Sequence, residues 1–291
     1  MALLASASSL SAYVMSRLIT RTAFDSKWQR ICEGWGKSVI AKSSRKGHSN
    51  GEQLSNAKGA LISESTKIES TRINSIDDET RPVVMEVSSI SAPRTNYNVS
   101  FTLRKGDILG ITGQSGAGKT SLLRRLALLE GQNNGKNGKM LLHGSEPEVY
   151  GCPNWRRRIT WVSQDRATVA GTTMDLHRQI RGFSSVKNSV DEAHSGSNIK
   201  DIATKELGLD EELLDRPLSS LSGGEAARII LSSALALEGD VVLLDEPTAS
   251  LDPRSEALVE SALKKRGSTI IIVTHSREQL ERFCTHHIDL S

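Results

Sequence analysis

One glycine-rich segment constrains the fold of this chain more than any other: Gly113-Gln114-Ser115-Gly116-Ala117-Gly118-Lys119-Thr120. It fits the pattern G-x-x-x-x-G-K-[S/T], and the apolar run 108–112 directly before it predicts a buried strand. The residues that follow, 121–129, carry apolar side chains at helical spacing. A strand, a glycine-rich turn and a helix in this order predict a phosphate-binding loop within an α/β fold.

The residue types of this loop suit phosphate. Gly113, Gly116 and Gly118 permit backbone conformations that bulky residues avoid, so successive N–H groups can point into one concavity at the positive end of the next helix. We expect Lys119 to reach the outer phosphates and the hydroxyl of Thr120 to bind Mg²⁺. The loop alone does not distinguish kinases, GTPases and motor ATPases.

Two further apolar runs end in polar residues that suit catalysis. The run 241–244 leads into Asp245-Glu246, and the run 269–273 leads into Thr274-His275. A carboxylate at the end of a buried strand can hold Mg²⁺ through its water shell, which we expect of Asp245. Glu246 beside it could polarise an attacking water. His275 lies where open α/β sheets bind their ligands.

A second anion site is predicted by Leu221-Ser222-Gly223-Gly224-Glu225. Ser222 suits the N-cap of a helix, and Glu225 three residues later completes a capping box. Two glycines beside this N-cap leave an amide-rich helix end without bulky side chains. One chain cannot easily bring both anion sites to the same phosphate, so we expect the protein to dimerise.

Composition narrows the class of protein. The chain has 291 residues, of which 37% are hydrophobic and 24% charged, with a formal net charge of +3. These values fit a soluble globular chain. We expect neither a membrane span nor the strongly basic face that is typical of a nucleic-acid binder. The three cysteines lie far apart, which favours a reducing compartment. The pair His286-His287 beside Cys284 could hold a metal, but a solvated tail is the expected interpretation.

The front of the chain differs from the rest. Residues 1–24 contain no Asp or Glu, are rich in Ser, and place Arg17 and Arg21 beside an apolar helical face, as in an organelle transit peptide. The alternative is an N-terminus that carries no targeting signal. Residues 41–80 have few large apolar side chains and are expected to form a disordered linker. We therefore expect an extension over residues 1–81, dispensable for nucleotide binding, and a globular domain over residues 82–291.

Over residues 82–291 the chain resembles the nucleotide-binding subunits of ATP-binding-cassette (ABC) transporters. The resemblance rests on motifs in the family's order: the loop 113–120, Gln164 in the run 161–165, the signature 221–225, the run 245–252 and His275. It implies an ABC ATPase fold: a P-loop NTPase core of mainly parallel sheet, an antiparallel β edge and a small helical subdomain over about residues 165–235. The compact form is similar to stand-alone subunits of the family.

The resemblance also implies roles for single residues. Glu246 would be the catalytic base, His275 would contact the γ-phosphate, and Gln164 would link Mg²⁺ and the attacking water to a membrane partner. Residues 250–252 would cross a dimer interface. Mg²⁺ would be bound by Thr120, Gln164 and Asp245. ATP would be bound by Gly113, Gln114, Ser115, Gly116, Ala117, Gly118, Lys119, Thr120 and Ser121, and by Ser222, Gly223 and Gly224 of the opposite subunit.

One departure from the family concerns adenine. The aromatic residue that usually stacks on the base is not found at the corresponding position, which falls near Ile90, and Tyr97 lies close to the next strand.

The implied function is an ATPase that energises transport through a separate transmembrane permease, as a homodimer or a heterodimer with a second ABC subunit. No nucleic-acid partner is expected. The alternative is a soluble ABC ATPase without a transporter, such as an iron–sulfur assembly ATPase. The expected location is peripheral to a membrane, in mitochondria or plastids if the N-terminus is an address and otherwise on the cytoplasmic side.

Overall fold

A six-stranded sheet forms the centre of the molecule. The computed structural model describes residues 66–73, 80–91, 97–130, 138–164, 171–181 and 199–291. The strands of these ranges are β1 (Thr66–Glu69), β2 (Thr71–Arg72), β3 (Val83–Ser91), β4 (Tyr97–Arg104), β5 (Ile108–Thr112), β6 (Lys139–Leu142), β7 (Ile159–Val162), β8 (Val241–Asp245), β9 (Thr269–Val273) and β10 (His286–Asp289). The central sheet has the order β2-β10-β5-β9-β8-β7, and its strands are parallel except for β2.

Helices cover both faces of this sheet. They are α1 (Lys119–Leu126), α2 (Pro147–Arg158), α3 (Thr173–Arg181), α4 (Ile199–Asp201), α5 (Gly223–Leu235), α6 (Pro253–Lys265) and α7 (Arg277–Phe283). Every residue of β8 and β9 is buried, as their continuous apolar sequences predict for parallel strands.

The core is divided in two by the alternation of side chains along the strands. Leu243 and Ile271 face the cluster that contains Leu122 of α1 and Trp155 of α2. Their neighbours Leu244, Val242, Ile270 and Ile272 face the cluster that contains Leu231 of α5, Val259 of α6 and Phe283 of α7. Because the side chains alternate with a period of two, helices pack on both faces of the sheet. The carboxyl ends of the strands remain as a common edge for ligands.

A second sheet packs beside α1 and has the order β1-β4-β3-β6. Strand β3 is antiparallel to both β4 and β6. Between residues 171 and 235, the described residues form α3, α4, a π-helical turn Ile202–Glu206, two 3₁₀ turns (Glu211–Asp215 and Leu218–Ser220) and α5. The parallel core, the antiparallel edge and the helical region confirm the fold class expected from the sequence. Within the expected helical range, residues 165–170 and 182–198 lie outside the described residues.

Strands β1 and β2 fall before the domain boundary that the sequence predicts at residue 82. Strand β1 pairs with β4 along the edge of the second sheet, and β2 pairs with β10 along the edge of the central sheet. Only Ser70 separates the two, so residues 66–73 join the outer edges of both sheets. The structured domain therefore includes residues that the sequence assigns to the extension, because open strand edges accept a short polar segment that has no hydrophobic pattern of its own. The expected address, residues 1–24, lies outside the described residues.

The expectation of a solvated tail at His286-His287 is wrong. These residues form β10, parallel to β5, and His286 is 9% exposed. The hydroxyl of Thr285 lies 2.9 Å from Nδ1 of His286, and burial lowers the pKa of this histidine. Among the described residues, no group of three or more His, Cys, Asp or Glu side chains could hold a metal ion. Within the same ranges, no helix is both long and apolar enough to cross a membrane.

Candidate active site

The glycine-rich segment joins β5 to α1, as the sequence predicts. Gly113, Gly116 and Gly118 have φ of 141°, 83° and 90°, which side-chain-bearing residues rarely adopt. No side chain caps α1, and its first turn has no acidic residue. The orphan N–H groups and the positive end of the helix dipole therefore face the loop, where an anion can use both.

Lys119 is the first residue of α1, and its side chain folds back over the loop. Its Nζ donates to the carbonyl oxygens of Gly113 at 2.8 Å and Gln114 at 3.0 Å. Lys119 is only 7% exposed. These contacts hold the ammonium within the curve of the loop, where it can exchange carbonyl partners for phosphate oxygens.

Strand β10 supports the entry to the loop, which the sequence reasoning missed. The hydroxyl of Thr112 lies 2.7 Å from Nε2 of His287 and donates to Asp289 Oδ1 at 3.3 Å. A Cβ on Gly113 would lie 3.1 Å from Leu290, so the two backbones are closely packed. The apolar alternation Ile288-Asp289-Leu290 is the only signal in the sequence for this strand, and it is short.

Asp245 and Glu246 follow each other at the carboxyl end of β8 but differ in environment. Asp245 is the last residue of the strand and is 2% exposed, whereas the Glu246 side chain is 18% exposed. Glu246 has φ of 51°, in the left-handed region, and its N–H donates to the carbonyl of Val273 in β9 at 3.1 Å. Such backbone strain in a non-glycine residue is typical of functional sites. The change of conformation turns the Glu246 carboxylate out of the sheet.

Three residues that the sequence predicts to act together meet at this carboxylate. His275 Nε2 lies 2.8 Å from Glu246 Oε1, and Gln164 Nε2 donates to Glu246 Oε2 at 2.8 Å. Each of the three lies one or two residues beyond the end of its strand: Gln164 follows β7, Glu246 follows β8 and His275 follows β9. Because these strands are neighbours in the sheet, its edge brings Gln164 to Glu246, 82 positions further along the chain, and brings both to His275.

The signature begins a helix, as predicted. Ser222 is the N-cap of α5, its side chain accepts from the Glu225 N–H at 3.3 Å, and Glu225 Oε2 accepts from the Ser222 N–H at 2.8 Å. The hydrogen bonds from Ser222 lower the pKa of Glu225. The guanidinium of Arg228 ties α5 to the helical region by donating to the carbonyl of Leu207 at 3.0 Å.

The signature lies beside the segment that follows Glu246. A Cβ on Gly224 would lie 3.3 Å from the carbonyl oxygen of Ser250, so a side chain here would crowd the backbone. The carboxylate of Asp252 caps α6 by accepting from the N–H groups of Arg254 and Ser255. It also accepts from the hydroxyl of Ser255, and this hydrogen bond is the main cause of the lowered pKa of Asp252. Between α5 and Glu246 is a cleft of about 250 Å³ that also contains Gln164.

Among the described residues, no hydrogen bond joins residues 222–224 to the loop 113–120 of the same chain. Larger clefts, of about 360 and 510 Å³, lie at the opposite ends of the strands and contain none of the motif residues.

The structure describes both positions named above for adenine stacking. Ile90 is 1% exposed, and its side chain belongs to the core of the second sheet. Tyr97 is half-buried at the first position of β4. The segment between them, residues 92–96, lies outside the described residues.

Residues 97–249, from the start of β4 to the segment after Glu246, match the ABC transporter family. The chain belongs to this family. The resemblance seen in the sequence is confirmed.

Two curated ABC proteins illustrate the range of relatives. The phosphate import ATP-binding protein PstB 2 of Natronomonas pharaonis is 35% identical over 198 residues, which are 64% of this chain and 67% of that protein. The glutathione/L-cysteine transport system ATP-binding/permease protein CydD of Haemophilus influenzae is 34% identical over 187 residues, which are 63% of this chain and 30% of that protein. The chain thus spans two thirds of the first and under a third of the second.

A solved structure of the ATP-binding subunit of an ABC transporter has the same fold. Its TM-score is 0.61 at 20% sequence identity, and the match covers 71% of this chain and 85% of that one.

Proposed function

We propose that this chain binds and hydrolyses ATP and thereby drives transport through a separate membrane subunit. The observation that carries the proposal is the carboxylate of Glu246, held between Gln164 and His275 at the edge where β5 delivers the phosphate-binding loop. Relatives such as PstB 2, an import ATP-binding protein, support the coupling to transport.

The chemistry assigns each group a step. The loop amides and Lys119 bind the phosphates and stabilise the charge that develops on them. Glu246 accepts a proton from water as the water oxygen attacks the γ-phosphorus, and the bond from this phosphorus to the bridging oxygen breaks to release ADP and phosphate. Gln164 and His275 keep the carboxylate oriented, because each contacts one of its two oxygens.

The residues fit a bound Mg²⁺. This ion prefers oxygen ligands and is commonly held by one or two protein groups together with substrate phosphates and water. Thr120 offers a hydroxyl in the first turn of α1, Asp245 a buried carboxylate, and Gln164 an amide oxygen. When bound, the ion would neutralise charge on the β- and γ-phosphates.

Dimerisation is part of the proposal. The helix end at Ser222–Gly224 offers amide donors, and Gly223 lines the cleft beside Glu246. In a head-to-tail pair, this helix end would meet the γ-phosphate on the other subunit's loop, with residues 250–252 between them. ATP would then close the pair and hydrolysis would reopen it.

The hydrolytic assignment is tested with Glu246→Gln and Lys119→Ala. Removal of a general base costs about 10²–10⁴-fold in rate, so Glu246→Gln should bind ATP and turn it over at least 100-fold more slowly. Lys119→Ala should weaken ATP binding instead. Turnover by purified Glu246→Gln at the unmutated rate would show that Glu246 is not the base.

The dimer is tested in the Glu246→Gln background by light scattering. ATP with Mg²⁺ should double the mass, and Gly223→Asp should prevent this because its charge would oppose the γ-phosphate. Ser219→Asp is the matched control, since it adds the same charge at an exposed position outside the signature. A variant that stays monomeric at all ATP and protein concentrations, also with candidate ABC partners added, argues against the sandwich.

Coupling to transport is tested by purification from detergent extracts. A polytopic membrane protein should co-purify with the chain, whereas a soluble iron–sulfur scaffold in its place would favour the alternative function.

We further propose a location peripheral to a membrane, with residues 1–24 as an organelle-targeting signal. A reporter fused to residues 1–40 should then be sorted to mitochondria or plastids, and a diffuse cytosolic signal would reject the address.

A further inference from the structure

A buried polar cluster lies behind the Glu246–His275 pair and has no part in the chemistry above. At its centre is Gln279 of α7, which is 1% exposed. Its side-chain amide donates to Glu260 Oε1 at 3.0 Å and to Thr248 Oγ1 at 3.1 Å. Glu260 is itself 6% exposed and accepts from the guanidinium of Arg282 at 2.7 and 2.9 Å.

Gln279 contacts both segments that carry the pair. Its backbone N–H donates at 3.1 Å to Oγ of Ser276, the residue that follows His275. Its side chain binds Thr248, two residues beyond Glu246. Since His275 Nε2 lies 2.8 Å from Glu246 Oε1, the contacts form a closed ring that passes from Glu246 through Thr248, Gln279 and Ser276 to His275 and back.

Thr248 is also the fixed point of the segment after Glu246. The carbonyl of Glu246 accepts from the Ala249 N–H at 3.3 Å, and the carbonyl of Thr248 accepts from the Leu251 N–H at 3.0 Å. These two linked turns are made by the backbone, and Leu251 at their end packs against the core. The side chain of Thr248 attaches them to the rigid cluster between α6 and α7.

From this ring we infer that Gln279 and Thr248 are positioning residues, which fix the Glu246 carboxylate against His275 for the attack of water. The inference rests on the proposed function. Neither residue is assigned a contact with nucleotide, so their loss should reduce the rate of the chemical step and leave ATP affinity intact. Displacement of a catalytic group by about 1 Å can cost on the order of 10²-fold in rate.

The test compares Thr248→Val, Thr248→Ser, Gln279→Leu and the double variant Thr248→Val/Gln279→Leu. Valine keeps the shape of Thr248 without its hydroxyl, whereas serine keeps the hydroxyl. Thr102→Val is the matched control, because it makes the same change at an exposed position of β4. We measure kcat and KM for ATP with Mg²⁺, ATP affinity in the Glu246→Gln background, and the urea midpoint.

Thr248→Val and Gln279→Leu should each lower kcat about 10- to 100-fold with ATP affinity unchanged. The double variant should be no slower than the slower single variant, because both remove the same link. Thr248→Ser should restore most of the turnover, and Thr102→Val should match the unmutated chain. If Gln279→Leu does not fold, the valine and serine variants of Thr248 decide the matter.

An unchanged kcat in Thr248→Val would overturn the inference, and so would losses in the double variant that multiply. A fall in ATP affinity that accounts for the lost turnover would also overturn it, because the cluster would then act in ATP binding and not in the chemical step. An unmutated chain that does not hydrolyse ATP would instead reject the proposed function, so the two failures are distinguishable.

Discussion

Gly110→Ala should strain the contact between the loop-bearing strand and α7. Gly110 lies in β5 between Ile272 of β9 and His287 of β10. A Cβ at this position would lie 2.3 Å from Leu280 Cδ1 and 2.8 Å from Cys284 Sγ, whereas carbon atoms in contact prefer about 3.5–4.0 Å. Leu280 and Cys284 are 7% and 1% exposed, so either side chain can give way only by moving among other buried atoms.

The added methyl group must therefore displace the side chains of Leu280 and Cys284, and α7 with them where they cannot rotate, by roughly 1 Å; overpacking of this kind costs about 1–3 kcal/mol. Because burial raises the pKa of the Cys284 thiol to about 12, the thiol stays protonated and the effect is one of packing. Helix α7 begins two residues after His275, so the same movement should also slow ATP turnover.

A double-mutant cycle in urea isolates the cause. Leu280→Ala alone should cost about 2–5 kcal/mol. It also removes the atom closest to the new methyl, so the double variant should lose less than the sum of the single changes by about 0.5–3 kcal/mol. Leu213→Ala, equally buried at 7% but in the other of the two core clusters, should show no such relief. A Gly110→Ala variant with an unchanged midpoint, or a full sum in the double variant, would refute the reasoning.

Two further predictions concern the edge of the central sheet. A chain that begins at Arg81 loses β1 and β2. It should unfold at a lower urea concentration and bind ATP more weakly than a chain that begins at Ser63. Equal urea midpoints and equal ATP affinities would restore the sequence-based view that residues 1–81 are dispensable for nucleotide binding. Burial also lowers the pKa of His286 and His287 below 6.5 in the folded chain. As the pH drops below about 6.5, these histidines are therefore protonated in the unfolded chain before they are protonated in the folded one, so the free energy of unfolding should fall. Urea midpoints between pH 7.5 and 5.5 check this, and a stability that rises on acidification, or an unchanged slope in His286→Gln/His287→Gln, contradicts it.

The sequence predicted the elements whose signals are local. Strands β5, β8 and β9 are continuous apolar runs, and the capping box of α5 needs only Ser222 and Glu225. The order of the motifs, through the family resemblance, also indicated that Gln164, Glu246 and His275 act together.

The sequence could not predict contacts made by short polar segments. Strand β1 contains Thr, Lys, Ile and Glu, and its place is set by the free edge of β4. Strand β10 begins with two histidines, which suggest solvent until β5 is known to lie beside them. Gln279 carries no motif, and its role depends on Thr248, 31 residues away along the chain and close only after α6 and α7 have packed.

The contact between Thr112 and His287 also bears on how the protein is made. These residues are 175 positions apart, so the ribosome completes the phosphate-binding loop long before it adds the strand that supports it. At synthesis rates of about 5–20 residues per second, the interval is roughly 10–35 s. For most of this time β5 lacks its neighbour β9, and throughout it β5 lacks β10, so the supported site through which ATP could stabilise the nascent chain is incomplete. Nucleotide bound at the complete site can therefore stabilise the protein only after β10 has been made.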